Sequence, residues 1–105
     1  MDINKSIGQL LREFREHKEL LVRQVAALLE IDPSLLSKIE RGDKRPTRKQ
    51  INQLADILDV DVDELIVAYL SDRLVYEVRD EDLAIEAIKV AEQKIEYLKK
   101  SNTIV

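Results

Sequence analysis

Six basic side chains crowd twelve residues near the middle of the chain: Lys38, Arg41, Lys44, Arg45, Arg48 and Lys49, against Glu40 and Asp43 alone. Segment 38–49 therefore carries +4, residues 1–37 carry −1 and residues 50–105 carry −7, giving −4 for the 105-residue chain. Phosphate binding needs a field of this local kind, because screening removes contributions beyond ~8–10 Å. The acidic remainder opposes indiscriminate adhesion to polyanions. A charge run is also the ordinary composition of a solvated face, so the cluster alone leaves both readings open.

Other chemistries find few residues to carry them. With no cysteine, the chain has neither disulfide nor thiolate ligand, and a single histidine, His17, makes no histidine zinc cluster. His17 reads as a solvated or dipole-stabilised side chain near a helix end. Asp80, Glu81 and Asp82 could suggest a cation site, but adjacent carboxylates at a helix start more often serve the cap and the dipole. No phosphate-cradling glycine loop, dinucleotide fingerprint or Ser/Cys–His arrangement is present. No enzyme activity, metal, cofactor or small-molecule substrate is expected.

The elements that must position the basic cluster read as helical. Apolar residues make up 45% of the chain, mostly Leu, Ile, Val and Ala, with only two Gly and two Pro to interrupt them. No apolar run approaches the ~20 residues of a membrane span and no signal-peptide pattern opens the sequence, so a cytoplasmic protein is expected. Between Ile3 and Lys18, Ile7, Leu10, Leu11 and Phe14 follow helical spacing. Val22, Val25, Ala26 and Leu29 repeat it in a shorter helix. Asp32-Pro33 supplies an N-cap and a first-turn proline for a third helix, with Leu36 and Ile39 inward and Gly42 closing it. Thr47 can cap a fourth helix to about Leu58, carrying Ile51, Leu54, Ala55 and Leu58. Asp61 and Glu64 have capping-box spacing for a fifth, with Leu65, Ile66, Tyr69 and Leu70. That helix can continue toward Tyr76 before a break near 78–80. Asp80 can cap a last helix to about Lys100.

Two short helices joined by a three-residue turn, the second ending in cations, suit entry into a DNA major groove. Many helical bundles contain such pairs. The particular string is more specific: Val25-Ala26, then Leu29-Glu30-Ile31-Asp32, then Leu36-Ser37-Lys38-Ile39-Glu40-Arg41-Gly42. With Pro46, Leu54-Ala55-Asp56-Ile57-Leu58 and Val60-Asp61-Val62-Asp63-Glu64-Leu65, it resembles the phage Cro/repressor-like, XRE-type regulators. The resemblance covers about residues 3–70 and implies an all-α, five-helix lambda-repressor-like DNA-binding domain. Residues 1–70 would form that domain, and 71–105 a helical C-terminal extension.

The same resemblance implies roles. The helix from Pro33 would be the recognition helix, with Pro33, Ser34, Ser37 and Lys38 at base-contacting positions. Lys38 is long enough to reach a guanine edge. Arg41, Lys44, Arg45 and Arg48 would contact phosphates, and Arg15 with Glu40 would form a structural ion pair. The family often has Gln where Val22 and Pro33 stand, and Gly where Glu30 and often Glu19 stand. Leu35 occupies a position that commonly faces DNA, where it would pack on a thymine methyl or contact protein.

Beyond the resemblance, Ala84, Ile88, Ala91, Ile95 and Leu98 alternate spacings of four and three. Such a stripe either folds back on its own domain or pairs two subunits through Ile88, Ala91, Ile95 and Leu98. The expectation is a homodimeric regulator acting on an inverted-repeat operator in double-stranded DNA, similar in size to restriction–modification controller proteins. The alternative is a protein-interaction module on the same fold, of antitoxin or adapter type.

Overall fold

The computed structural model describes residues 4–104, with side chains through Ser101; Ile3 lies outside the described residues. It is all-α: α1 (Ile7–His17), α2 (Val22–Leu29), α3 (Pro33–Arg41), α4 (Arg48–Leu58), α5 (Val62–Val78) and α6 (Ala84–Ile104). No strand occurs among the described residues. The chain divides into two units, one ending at Arg73 and the other beginning at Leu74.

In the first unit α1, α3, α4 and α5 start where a side chain accepts from amides that a helix start leaves open, and α1 to α4 stop where a backbone amide turns back to their last carbonyls. The Ser6 hydroxyl accepts from the Gln9 amide at 3.2 Å while the Gln9 side-chain oxygen accepts from the Ser6 amide at 2.9 Å, so α1 starts at Ile7. The Ile7 amide donates to Asp72 Oδ2 at 2.7 Å, tying the front of α1 to α5. Thr47 and Gln50 make the same reciprocal box before α4, at 3.1 and 2.9 Å. Asp61 accepts from the Asp63 amide at 2.9 Å at the front of α5.

The helices enclose one core of Ile7, Leu10, Leu11, Val25, Ala26, Leu29, Leu36, Ile39, Ile51, Leu54, Ala55, Leu58, Leu65 and Ala68. These residues are the expected stripes of α1 to α4, because a helix that buries one face must repeat apolar residues every three or four positions. On α5 the stripe runs differently. Ala68 is buried beside Leu65, Ile66 and Tyr69 are half-buried, and Leu70 is 39% exposed. Ala68 faces the core, and Asp72 one turn on continues that face to the front of α1.

In the second unit, α5 continues to Val78 because no helix breaker intervenes; the chain then turns, the Glu81 amide bonding Val78 O at 2.9 Å. The Ala84 amide bonds Glu81 O at 3.2 Å, so Asp80, Glu81 and Asp82 lie in the turn. α6 therefore begins at Ala84, later than a cap at Asp80 would have started it. None of the described side chains of α6 is buried.

Candidate nucleic-acid interface

The segment 21–47 builds an exposed helix on a fixed support. α2 ends with Glu30 in the left-handed conformation (φ 58°), and its amide bonds back to the helix. The Ile31 amide donates to Ala26 O at 3.0 Å, and half-buried Ile31 packs against the core. Asp32 then caps α3, its Oδ1 accepting from the Ser34 amide at 2.8 Å and the Ser34 hydroxyl at 2.6 Å. Those bonds, the hydroxyl foremost, hold the Asp32 carboxyl below its ordinary pKa. Pro33 fills the first helical position, where an N–H would have no partner.

α3 turns Leu36, Ile39 and Glu40 inward and Pro33, Ser34, Lys38 and Arg41 outward, with Ser37 half-buried. Gly42 (φ 85°) ends it. The Asp43 and Lys44 amides both donate to Lys38 O, at 2.9 and 3.3 Å, so the basic loop folds back on the last turn of α3. Buried Pro46 anchors that loop, and Arg48 and Lys49 then open α4. Lys38, Lys44, Arg45, Arg48 and Lys49 are exposed. Arg41 is exposed as well and donates to Asp43 Oδ2 at 3.1 Å, a surface pair of little energetic weight that an approaching phosphate can displace.

The first turn of α4 breaks a local rule. A helix N-terminus carries a partial positive charge and prefers acidic neighbours, yet this turn has no acidic residue and holds Arg48 and Lys49. Like-signed charge there opposes the helix dipole, an arrangement that a bound anion would relieve. Lys49 stands beside Arg48 in that turn, exposed like it.

Two contacts hold α3 against α1. Arg15 donates from Nε to Glu40 Oε2 at 2.7 Å and from Nη2 to Glu40 Oε1 at 3.0 Å, a two-pronged pair almost closed to solvent. Its Nη1 bonds Leu20 O at 2.8 Å, so one side chain ties α1, the connection to α2, and α3 together. Glu40, through this hydrogen bond above all, raises the pKa of the guanidinium. The second contact is a close approach. A Cβ on Gly8 would stand 2.4 Å from Ile39 O and 2.7 Å from Glu40 O, so α1 meets the α3 backbone only because position 8 lacks a side chain. Sequence reasoning missed Gly8, since a lone glycine in a helix gives no sign of which backbone will cross it.

Comparison with known proteins agrees with this geometry. The helix-turn-helix domain family matches residues 6–66. The chain belongs to that family. An HTH-type transcriptional regulator of Bacillus subtilis, YazB, is 38% identical over 58 residues, covering 55% of this chain and 84% of that protein. The crystal structure of ClgR, the clp gene regulator of C. glutamicum, superimposes with a TM-score of 0.54 at 26% identity, over 63% of this chain and 86% of that one. The Cro/repressor-like resemblance and the all-α fold stand with these relatives among transcriptional regulators.

The positions where this chain departs from the residue types common in the Cro/repressor-like family acquire physical meanings. Glu30 and Glu19 occupy left-handed backbone (φ 58° and 57°), which explains the preference for glycine there. Leu35 is half-buried against the core, so it contacts protein. Val22 is likewise half-buried on the core, at the front of α2, with Arg23 exposed beside it.

Proposed function

We propose that this helix-turn-helix protein is a sequence-specific DNA-binding transcriptional regulator that reads an inverted-repeat operator as a homodimer. The observation that carries the reading is the outward face of α3, with Pro33, Ser34 and Lys38 exposed, set against cations at its end and at the front of α4. A helix so placed can lie in a major groove while the flanking cations grip the sugar–phosphate backbone.

Lys38 is the principal base reader, because its ammonium can span to the O6 and N7 acceptors of guanine. Ser34 and Ser37 supply hydroxyls at shorter range, and Pro33 packs without donating. The Ser34 hydroxyl spends its proton on Asp32, so toward DNA it acts as an acceptor, suited to a base amino group. Arg41, Lys44, Arg45, Arg48 and Lys49 set register and affinity through phosphates. Ile88, Ala91, Ile95 and Leu98 on α6 pair two subunits, which doubles the sequence read by one recognition helix. The domain division follows: residues 1–70 bind DNA, and 71–105 dimerise. A regulator of this kind works in the cytoplasm, beside the DNA, and needs no catalytic group or cofactor.

The test compares Lys38→Ala with Arg48→Ala on an operator selected from random DNA by the purified protein. Lys38→Ala should relax preference at one base pair of each half-site, at ~1–3 kcal/mol per contact. Arg48→Ala should weaken all sequences alike and flatten the salt slope by about one. Failure to select any sequence, with no binding even at low salt, leaves the interaction-module reading in its place.

A further inference from the structure

α6 is a 21-residue helix, about 31 Å long at 1.5 Å per residue, and its apolar stripe is only partly covered: Ala84 and Ala91 are half-buried, and the rest is exposed. Ile88 is 37% exposed, Ile95 52% and Leu98 59%. Water-facing leucines and isoleucines at alternating spacings of four and three are the seam of a helix pair. The edges of that seam carry more information than the seam. At 100° per residue, Glu92 and Lys99 lie along one edge, seven residues apart, and Lys94 lies along the other.

In a parallel pair related by a two-fold axis, opposite edges meet. Lys94 of one subunit would then face Lys99 of the partner subunit, twice by symmetry, and like charges in register oppose association. The seam would also stack Ala91 on the partner's Ala91, a thin layer between two Ile layers, leaving a gap. In an antiparallel pair, like edges meet. Glu92 then faces the partner's Lys99, again twice, and the two-fold axis passes between Ala91 and Ile95. The small residue there meets a large one: Ala91 lies against the partner's Ile95, and Ile88 against the partner's Leu98.

We infer that two copies of this chain associate through antiparallel α6 helices, with Glu92–Lys99 ion pairs across one edge of the seam selecting that orientation. The inference rests on the homodimer reading above and adds its geometry. The partner is a second copy because the pattern complements itself in charge and in volume, as a two-fold interface requires.

Charge reversal distinguishes the orientations by sign. The full chain and its Lys99→Glu variant are compared by sedimentation at low ionic strength, with circular dichroism confirming unchanged helicity. In the antiparallel pair K99E sets a second carboxylate against the partner's Glu92, and the dimer dissociation constant should rise about tenfold. Adding Glu92→Lys should restore it, and about 0.5 M salt should shrink the difference. In a parallel pair K99E would instead oppose Lys94 with a carboxylate and tighten the dimer, which overturns the orientation while leaving the homodimer intact. A wild-type chain that remains monomeric at high micromolar concentration, yet binds its DNA, overturns the dimer reading and this inference together. An unchanged dissociation constant for K99E overturns the inference alone.

Discussion

Alanine at position 8 is the perturbation that most directly probes how α3 is held. The added Cβ would lie 2.4 Å from Ile39 O, about 1 Å inside ordinary contact at 3.4 Å, with Glu40 O 2.7 Å away. Both obstacles are backbone, so no rotamer change relieves them; α1 and α3 must separate. Overpacking of this kind costs ~1–3 kcal/mol, and more when backbone must move. Alanine returns at most ~1 kcal/mol through its better helix propensity. The balance is a loss of about 2 kcal/mol, which for a domain of this size lowers Tm by roughly 8–15 °C. Urea unfolding followed by far-ultraviolet circular dichroism measures the loss, and operator titration at a temperature where the variant is folded measures displacement of α3. Affinity should fall further than the unfolded fraction explains, because the separation also disturbs the Arg15–Glu40 pair. A Gly8→Ala variant as stable as the parent, binding DNA as tightly, would refute the close approach as what fixes α3.

The remaining predictions follow from single contacts. Glu40→Ala strands the Arg15 guanidinium at a nearly closed site and should cost about 2–3 kcal/mol in urea unfolding, whereas the apolar double variant Arg15→Met/Glu40→Leu should cost less. Arg48→Glu with Lys49→Glu should raise the unfolding free energy by ~0.3–1 kcal/mol through the α4 dipole while abolishing most DNA affinity. Glu30→Gly should stabilise by ~0.5–1 kcal/mol in urea unfolding, since only glycine adopts φ 58° without crowding its own Cβ. Asp32 has a depressed folded pKa, so its contribution is complete above the unfolded value of about 3.9 and is lost as pH falls through the lower, folded one. Acid titration of stability below about pH 4 should therefore be shallower in Asp32→Asn than in the parent.

The limits of α3 were legible because local chemistry sets them: Asp32 caps, Pro33 starts, Gly42 stops, each acting within a residue or two. The core stripes of α1 to α4 were legible for the same reason, being periodic in the sequence. Three features were not. Gly8 matters only through a backbone that crosses it from a distant stretch of chain, at Ile39 and Glu40. Asp72 closes the front of α1 across 65 positions, and no pattern in the sequence joins it to Ile7. The burial of Ala68 rather than Leu70 depends on how closely α5 lies on the core, which periodicity alone leaves free by a position or so. Lys49 was legible as part of the basic cluster, but its place in the first turn of α4, beside Arg48, depends on where that helix starts.

Whether α3 and the cations around it read DNA is decided by equilibrium binding of the purified full chain to a fragment of its own upstream DNA and to a shuffled control, across roughly 50–300 mM salt. Binding to the upstream fragment should be tight at low salt and weaker to the control. Affinity for both should fall steeply as salt rises, with a slope in proportion to the phosphates gripped. Equal affinity for the two fragments, or binding indifferent to salt, would contradict a DNA-reading role for α3.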